Sequence, residues 1–326
     1  MSFKVLLTYF DHPPYTRGDI ERKILGKVGA EVVGPVHCRT EEELIAAAKD
    51  ADAILLDQAP LTSKVLRALD RVCVVVNCSI GVDNIDLRAA TEKGVFVANV
   101  PDYCIKEVAE HTIALLLALW RKIVPTAYAM KSGTYQFETI RPIERLAGKK
   151  AGIVGFGRIG RSVADRLKGF EVDILAHDPL LPADIFAAAG VTSVEFDDLL
   201  KMSDIVLIHS ALTSENFHMI DEGQLRLMKK TAVIVNAARG PLINEKALLR
   251  ALTEDWIRGA ALDVLESDLQ DRDNPLVKLD NVLLTPHLGW YSEDALRELQ
   301  VRSAEEAARV LQGALPKNLV NEEILS

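Results

Sequence analysis

Residues 151 to 178 read AGIVGFGRIGRSVADRLKGFEVDILAHD: an apolar run, then Gly155, Gly157 and Gly160, then a helical stretch and a second apolar run ending in Asp178. Each glycine meets a separate physical demand of a turn that cradles phosphate. Gly155 permits a tight strand-to-helix turn, Gly157 lets the backbone approach a pyrophosphate, and Gly160 lets the new helix pack closely on the strand. The free N–H groups around Arg158, Ile159 and Gly160, at the positive end of that helix, would receive the pyrophosphate. Asp178 stands where a carboxylate would accept hydrogen bonds from an adenosine ribose and repel a 2′-phosphate, so the pattern implies NAD rather than NADP. A glycine triplet alone could simply end a buried strand. The succession of strand, helix, second strand and carboxylate makes the dinucleotide reading specific.

A bound nicotinamide exchanges only a hydride, so the rest of such a site must hold a carbonyl or alcohol, neutralise its charge and move one proton. Three segments at the ends of expected strands offer those parts: NAARG at 236–240, ALDVLESD at 261–268 and TPHLGW at 285–290. In an open parallel sheet the carboxyl ends of the strands line the ligand crevice. Sulfur chemistry is a poor alternative. Cys38, Cys73, Cys78 and Cys104 have no CxxC spacing and no paired histidines, so free thiols are expected, with neither a disulfide framework nor a metal site. No partnering base is evident beside Cys78 or Cys104. His111 and His177 fall in no catalytic motif and are expected to pack or hydrogen-bond.

The elements that must position these residues alternate along the chain. KVLLTY, AEVV, DAILL, VCVVV and VFVANV read as strands within residues 3–100, separated by helices near 18–29, 41–50, 62–69 and 86–93, with Thr40 and Glu43 forming a capping box. Such alternation predicts a parallel sheet with helices on both faces. The stretch 105–121 is apolar almost all round, which suits a helix buried at a domain or subunit contact. YAMKSGTYQFETIRPIERLAGKK, from residue 128, is more polar and reads as irregular. After the glycine-rich unit, EVDILAH, SDIVLIH, TAVIVNA, GAALDV and NVLLT read as a second set of strands, and 292–313 as a long terminal helix. The expected fold is therefore α/β, two doubly wound parallel-sheet domains. A substrate-binding domain is assigned to 1–100 and 290–326, and a Rossmann NAD domain to 101–289.

With 49% hydrophobic and 26% charged residues and a net charge of −9, the chain offers no broad basic surface for nucleic acid. The run after Met1 has only about five apolar residues together, too few for a signal peptide or membrane span. A cytoplasmic location without membrane partners is expected.

Along almost its full length the chain resembles the D-isomer-specific 2-hydroxyacid dehydrogenases. The resemblance lies in GVDNIDL at 81–87, NVPDYCIKEVAEH at 99–111, GFGRIG at 155–160, NAARGPLINEKAL at 236–248, GAALDV at 259–264 and TPH at 285–287. VPDYC at 100–104 and WYSEDA at 290–295 look closest to the prokaryotic members named after the C-terminal-binding proteins. The resemblance implies NAD-linked interconversion of a 2-ketoacid and a D-2-hydroxyacid, and, together with the apolar 105–121 stretch, a homodimer. By it, Arg239 binds the substrate carboxylate and carbonyl oxygen, a task suited to a planar, permanently charged guanidinium. His287 is the general acid and base, its ordinary pKa near neutrality.

Ala238 and Asp263 are assigned to the cofactor, Asp263 holding the nicotinamide carboxamide. The Ile80 and Gly81 amides receive the substrate carboxylate, and Tyr103 stands where some members touch substrate. The family pairs its histidine with a glutamate followed by proline; here Asp268 and Leu269 stand there. Aspartate reaches about 1.5 Å less, one C–C bond, so Glu266 competes for the role. Where a basic and aromatic pair followed by glycine would be expected, this chain has Asn77, Cys78 and Ser79, which bears on which substrate fits. A second reading is an NAD(H)-sensing interaction protein with little turnover, on the scaffold of the C-terminal-binding proteins. A third is a specialised dehydrogenase whose substrate is not a plain ketoacid.

Overall fold

Runs of valine, isoleucine and leucine build the frame, because strands covered on both faces have no polar side to show. The computed structural model describes residues 3–9, 17–268 and 271–326. It divides into two units, Met1–Tyr103 with Ser292–Ser326, and Cys104–Tyr291.

In the first unit β1 (Phe3–Tyr9), α1 (Asp19–Leu25), β2 (Ala30–His37), α2 (Glu41–Ala48), β3 (Ala53–Leu56), α3 (Ser63–Ala68), β4 (Val74–Asn77), α4 (Leu87–Lys93) and β5 (Phe96–Ala98) alternate. The sheet order β2-β1-β3-β4-β5 is parallel throughout and of the flavodoxin type. Strand periodicity sends Ile54 and Leu56 to one face, with Leu44, Val65 and Leu66. Ala53 and Leu55 turn to the other face, with Leu25 and the terminal helix residues Ala304 and Leu311. The expected capping box closes α2: the Glu43 amide donates to Thr40 Oγ1 at 3.2 Å and the Thr40 amide to Glu43 Oε2 at 3.0 Å.

The second unit begins with α5 (Ile105–Trp120) and α6 (Ile123–Ser132). It continues through β6 (Lys150–Val154), α7 (Arg158–Leu167), β7 (Asp173–His177), α8 (Ala183–Ala189), β8 (Thr192–Ser193), α9 (Phe196–Met202) and β9 (Ile205–Ile208). α10 (Glu222–Leu227), β10 (Val233–Asn236), α11 (Glu245–Thr253), β11 (Gly259–Leu262) and β12 (Val282–Leu284) complete it, and α12 (Glu293–Leu311) returns to the first unit. The order β12-β11-β10-β9-β6-β7-β8 starts in mid-sheet and winds outward both ways, so β6 and β9 flank the switch point at which such sheets bind ligands.

Within the apolar stretch 105–121, Ala109, Leu115, Leu116 and Trp120 pack with Ile153, Val163 and Val235 of the same unit. One expectation is corrected. Residues 128–132, read as irregular, finish α6, whose exposed apolar side chains gave the sequence no inward stripe. β8, two residues long, is too short for periodicity to reveal.

Candidate active site

Three strands of the second unit end level with one another, which decides what can meet. Asn236 pairs with Leu262, and Leu262 with Leu284. The residues that follow these three therefore emerge side by side at the carboxyl edge. The NAARG, LDVLESD and TPH segments thus leave adjacent strands at one level.

The Arg239 turn is tied by Asn236, buried at the strand end. Its Oδ1 accepts from the Ala238 amide at 3.0 Å and its Nδ2 donates to the Arg239 carbonyl at 2.8 Å. Arg239 Nη1 donates to the Ala238 carbonyl at 2.9 Å. A methyl group at Gly240 would collide with the Leu265 carbonyl and the Glu266 amide, so only glycine lets this turn lie on the neighbouring segment.

Asp263 organises the histidine loop. Its buried Oδ1 accepts from the Thr285 hydroxyl at 2.6 Å and the Leu288 amide at 2.9 Å, and its Oδ2 from the Gly289 amide at 2.7 Å. His111 Nε2, on α5, lies 3.2 Å from the same Oδ1 and 3.1 Å from Thr285 Oγ1. Because the single hydroxyl proton of Thr285 goes to Asp263, the network assigns a proton to His111 Nε2. Burial alone would raise the Asp263 carboxyl, but the bonds from His111, Thr285, Gly289 and Leu288 outweigh it and hold the group below the usual carboxylate range. Inside this clamp His287 adopts a left-handed backbone, φ 54°, with its amide donating to the carbonyls of Asp263 and Thr285. Both oxygens of Asp263 are therefore engaged by protein groups. His111 is the residue that sequence reasoning placed too far from the chemistry: its partners lie 152 and 174 residues away, and no local pattern signals them.

Of the two competing carboxylates, Glu266 faces His218, with Oε1 2.9 Å from Nε2. Asp268 lies two residues further on, and Leu269, which stands in place of a proline, is outside the described residues.

The dinucleotide turn has the expected build. Gly155 has φ +87°, and a Cβ there would lie 2.5 Å from the Ser210 amide; one at Gly160 would strike the Gly155 carbonyl. At Gly157 it would meet open space, as a residue facing a bound group must. Gly157 caps α7 with no side-chain bond, leaving the first-turn amides of Arg158, Ile159 and Gly160 turned outward. The Asp178 carboxylate accepts from the Phe156 amide at 2.9 Å and the Leu180 amide at 3.1 Å, so it also braces the turn. These residues fit an NAD pyrophosphate and ribose. Asp178→Asn should keep the Phe156 bond and lose the charge. NADH KM is then expected to rise by about tenfold or more, with NADPH turnover becoming measurable in steady-state assays. His177 Nδ1 lies 3.1 Å from the Val194 carbonyl, a structural bond.

At the end of β9, neither ring nitrogen of His209 has a hydrogen-bond partner among the described residues, and burial pushes the group down to about 4. A histidine depressed in this way is neutral in the fold and takes a proton more readily when unfolded. Its contribution is complete above the ordinary value near 6.5 and is lost as pH falls toward the folded value. Wild type is therefore expected to lose about 3 kcal/mol of unfolding free energy between pH 6.5 and 4 from this group. Denaturant titrations of His209→Leu should show a correspondingly flatter acid limb.

The first unit carries the other expected residues. Asn77 Nδ2 donates to Ser79 Oγ at 2.8 Å and to the Gly81 carbonyl at 2.7 Å, while Asn99 Nδ2 donates to the Ile80 carbonyl at 2.6 Å. The loop carbonyls are thus tied inward, and the Ile80 and Gly81 amides donate to no other group among the described residues. Tyr103 is buried. Burial, with Asp57 and Glu21 nearby, pushes the Cys78 thiol up, which keeps it protonated and unsuited to nucleophilic work.

A family model described as "D-isomer specific 2-hydroxyacid dehydrogenase, NAD binding domain" matches residues 113–289. The chain is 42% identical over 301 residues to a D-3-phosphoglycerate dehydrogenase of Methanocaldococcus jannaschii, covering 92% of this chain but 57% of that protein's length. It is 38% identical to a glyoxylate reductase of Korarchaeum cryptofilum, over 88% of this chain and 87% of that one. Among solved structures, a glyoxylate reductase from Paecilomyes thermophila superposes with a TM-score of 0.88 at 28% identity, covering 99% of this chain and all of that one. A level row of strand ends bearing arginine, aspartate and histidine beside a glycine turn agrees with these matches, and the chain belongs to the D-isomer specific 2-hydroxyacid dehydrogenase family.

Proposed function

We propose that the protein catalyses the reversible NAD-linked reduction of a small, plain 2-oxoacid of the glyoxylate or hydroxypyruvate size to its D-2-hydroxyacid. The observation that carries this reading is the shared level at which the Arg239 turn and the His287 loop leave β10 and β12, on either side of β11 and its Asp263, in the same sheet as the glycine turn. In the second unit Arg239 is the group assigned to the substrate carboxylate; in the first, the Ile80 and Gly81 amides and Tyr103 are assigned to the substrate by the family resemblance. His287 donates the proton as hydride arrives at carbon, and Asp268 pairs with it. A bound NADH would supply the hydride and leave as NAD. Asp263 fixes the histidine loop, and by the family resemblance it is also assigned to the cofactor carboxamide.

A relative named glyoxylate reductase, 38% identical to this chain, supports a small oxoacid as substrate. The sensing alternative gains no support from relatives named for turnover, and the subgroup of C-terminal-binding proteins rests on VPDYC and WYSEDA alone. NADH oxidation across glyoxylate, hydroxypyruvate, pyruvate, phenylpyruvate and branched oxoacids tests the proposal. Turnover with the first two supports it, and NADH binding without turnover on any of them rejects it.

The same reading includes the homodimer expected from the apolar 105–121 stretch and the resemblance, with α6 offering a further contact surface. Tyr128, 74% exposed, and Met130, 63% exposed, stand beside Ile123 and Phe137. Of these, Met130 and Ile123 line a groove of about 530 Å³ with Ala127, Ile140 and Ile143. A patch of this kind on one helix suits a second copy of the chain. Tyr128→Glu with Met130→Glu is expected to shift sedimentation from dimer to monomer; a monomeric wild type contradicts the assignment.

A further inference from the structure

The segment that carries Asp268 is held by a side chain outside every motif used so far. Glu245 opens α11, six residues after Arg239, and its carboxylate gathers four hydrogen bonds. Oε2 accepts from the Glu266 amide at 3.1 Å and the Ser267 amide at 3.0 Å. Oε1 accepts from the Ser267 hydroxyl at 2.8 Å and from Asn274 Nδ2 at 2.7 Å. Asn274 also donates to Ser267 Oγ at 2.8 Å, which orients that hydroxyl toward Glu245.

The residues just before Ser267 are fixed as well. Glu266 is held by His218, whose own left-handed backbone, φ 54°, is tied to the Pro241 carbonyl at 2.9 Å. The Leu265 carbonyl lies against the bare α-carbon of Gly240. Residues 265, 266 and 267 are thus each anchored to a different element immediately ahead of Asp268. The chemical reason for such anchoring lies in the shortened side chain. A glutamate can adjust its reach by turning about one more bond, whereas an aspartate stands where its backbone puts it. A family site that has lost about 1.5 Å of side chain must have its backbone set more firmly.

We propose that Glu245 is a positioning residue for proton transfer: by fixing the Ser267 backbone it sets where the Asp268 carboxylate stands, and so how strongly the His287 imidazolium is favoured. The inference rests on the reading that Asp268 pairs with His287. Other ionisable groups around the segment are Glu266, paired with His218, Asp263, paired with His111, and Asp271, whose amide donates to the Asp268 carbonyl at 3.1 Å.

Glu245→Gln is the test, because it keeps the volume but leaves one acceptor oxygen where four donors converge. Expected are a fall in kcat of between about tenfold and 10²-fold and an unchanged KM for NADH. The limb of the kcat/KM profile that reports the protonated acid should move to lower pH, since a displaced carboxylate no longer favours the imidazolium. Adding Asp268→Glu to Glu245→Gln should recover kcat and move the limb back. Ser267→Ala, which removes only the hydroxyl donor, should act in the same direction and more weakly. A wild-type limb in Glu245→Gln, or a loss of thermal stability and kcat without movement of the limb, overturns the inference. Asp268→Asn separates the two levels. A limb that stays in place there sinks the pairing itself, while one that moves there but not in Glu245→Gln overturns only the role of Glu245.

Discussion

His287→Asn is expected to lower kcat for oxoacid reduction by about 10²- to 10⁴-fold, the range that a positioned general acid supplies, with NADH affinity and thermal stability near wild type. Asparagine is the informative replacement because the position is left-handed, φ 54°, and asparagine tolerates that region better than most residues. Alanine would mix the loss of the proton donor with backbone strain. The amide of residue 287 would still donate to the carbonyls of Asp263 and Thr285, so the loop keeps its anchors. Steady-state NADH oxidation with glyoxylate, paired with NADH titration by fluorescence, reads the two quantities separately. A kcat within a few-fold of wild type would remove His287 from the reaction and leave the proton to another group.

The second large effect belongs to Asp263→Asn. Four donors converge on this carboxylate, on both of its oxygens, and an amide can offer only one acceptor oxygen. Its NH₂ must face either the Gly289 amide or the set of Thr285, Leu288 and His111. Buried donors left opposite a donor cost about 1 to 3 kcal/mol each, and removing the charge from a buried, fully bonded site brings the expected destabilisation to about 3 to 5 kcal/mol. A Cβ added at Gly289 would lie 2.9 Å from Asp263 Oδ2, so the loop packs closely on this carboxylate. The histidine loop should therefore loosen, and kcat should fall together with stability.

The pH dependence follows from the direction of the shift. A carboxyl held below its ordinary range contributes stability above its unfolded value, and that contribution fades as pH falls through the folded value. The gap in unfolding free energy between wild type and Asp263→Asn should then be widest near neutral pH and narrow in acid. Chemical denaturation at pH 7 and at about pH 3 measures it. An equal gap at both would mean that the charge on Asp263 contributes nothing.

The two expected effects differ in how visible their residues were. His287 follows a proline at the end of an apolar run, and Gly155, Gly157, Gly160 and Asp178 announce a strand, turn and helix within 28 residues. Such features are local. Strand periodicity, glycine turns and the capping box at Thr40 depend on neighbours in the chain, and the structure places β6, α7 and β7 where those neighbours require. The alternation of apolar runs was likewise enough for two parallel sheets, because a strand covered by helices on both faces is apolar at every position.

What the sequence alone determined is therefore the set of parts: two sheets, a dinucleotide turn and three segments bearing arginine, carboxylates and histidine. The tertiary structure decided which parts touch. It packed Ala109, Leu116 and Trp120 of the helix 105–120 against the sheet of its own unit, brought His111 across 152 residues to Asp263, turned Glu266 toward His218, and set Glu245 under Ser267. Hydrogen bonds reach only about 3 Å, so these pairings depend on strand register and on where each helix lands. Those are properties of the whole packed sheet, and no window of sequence contains them.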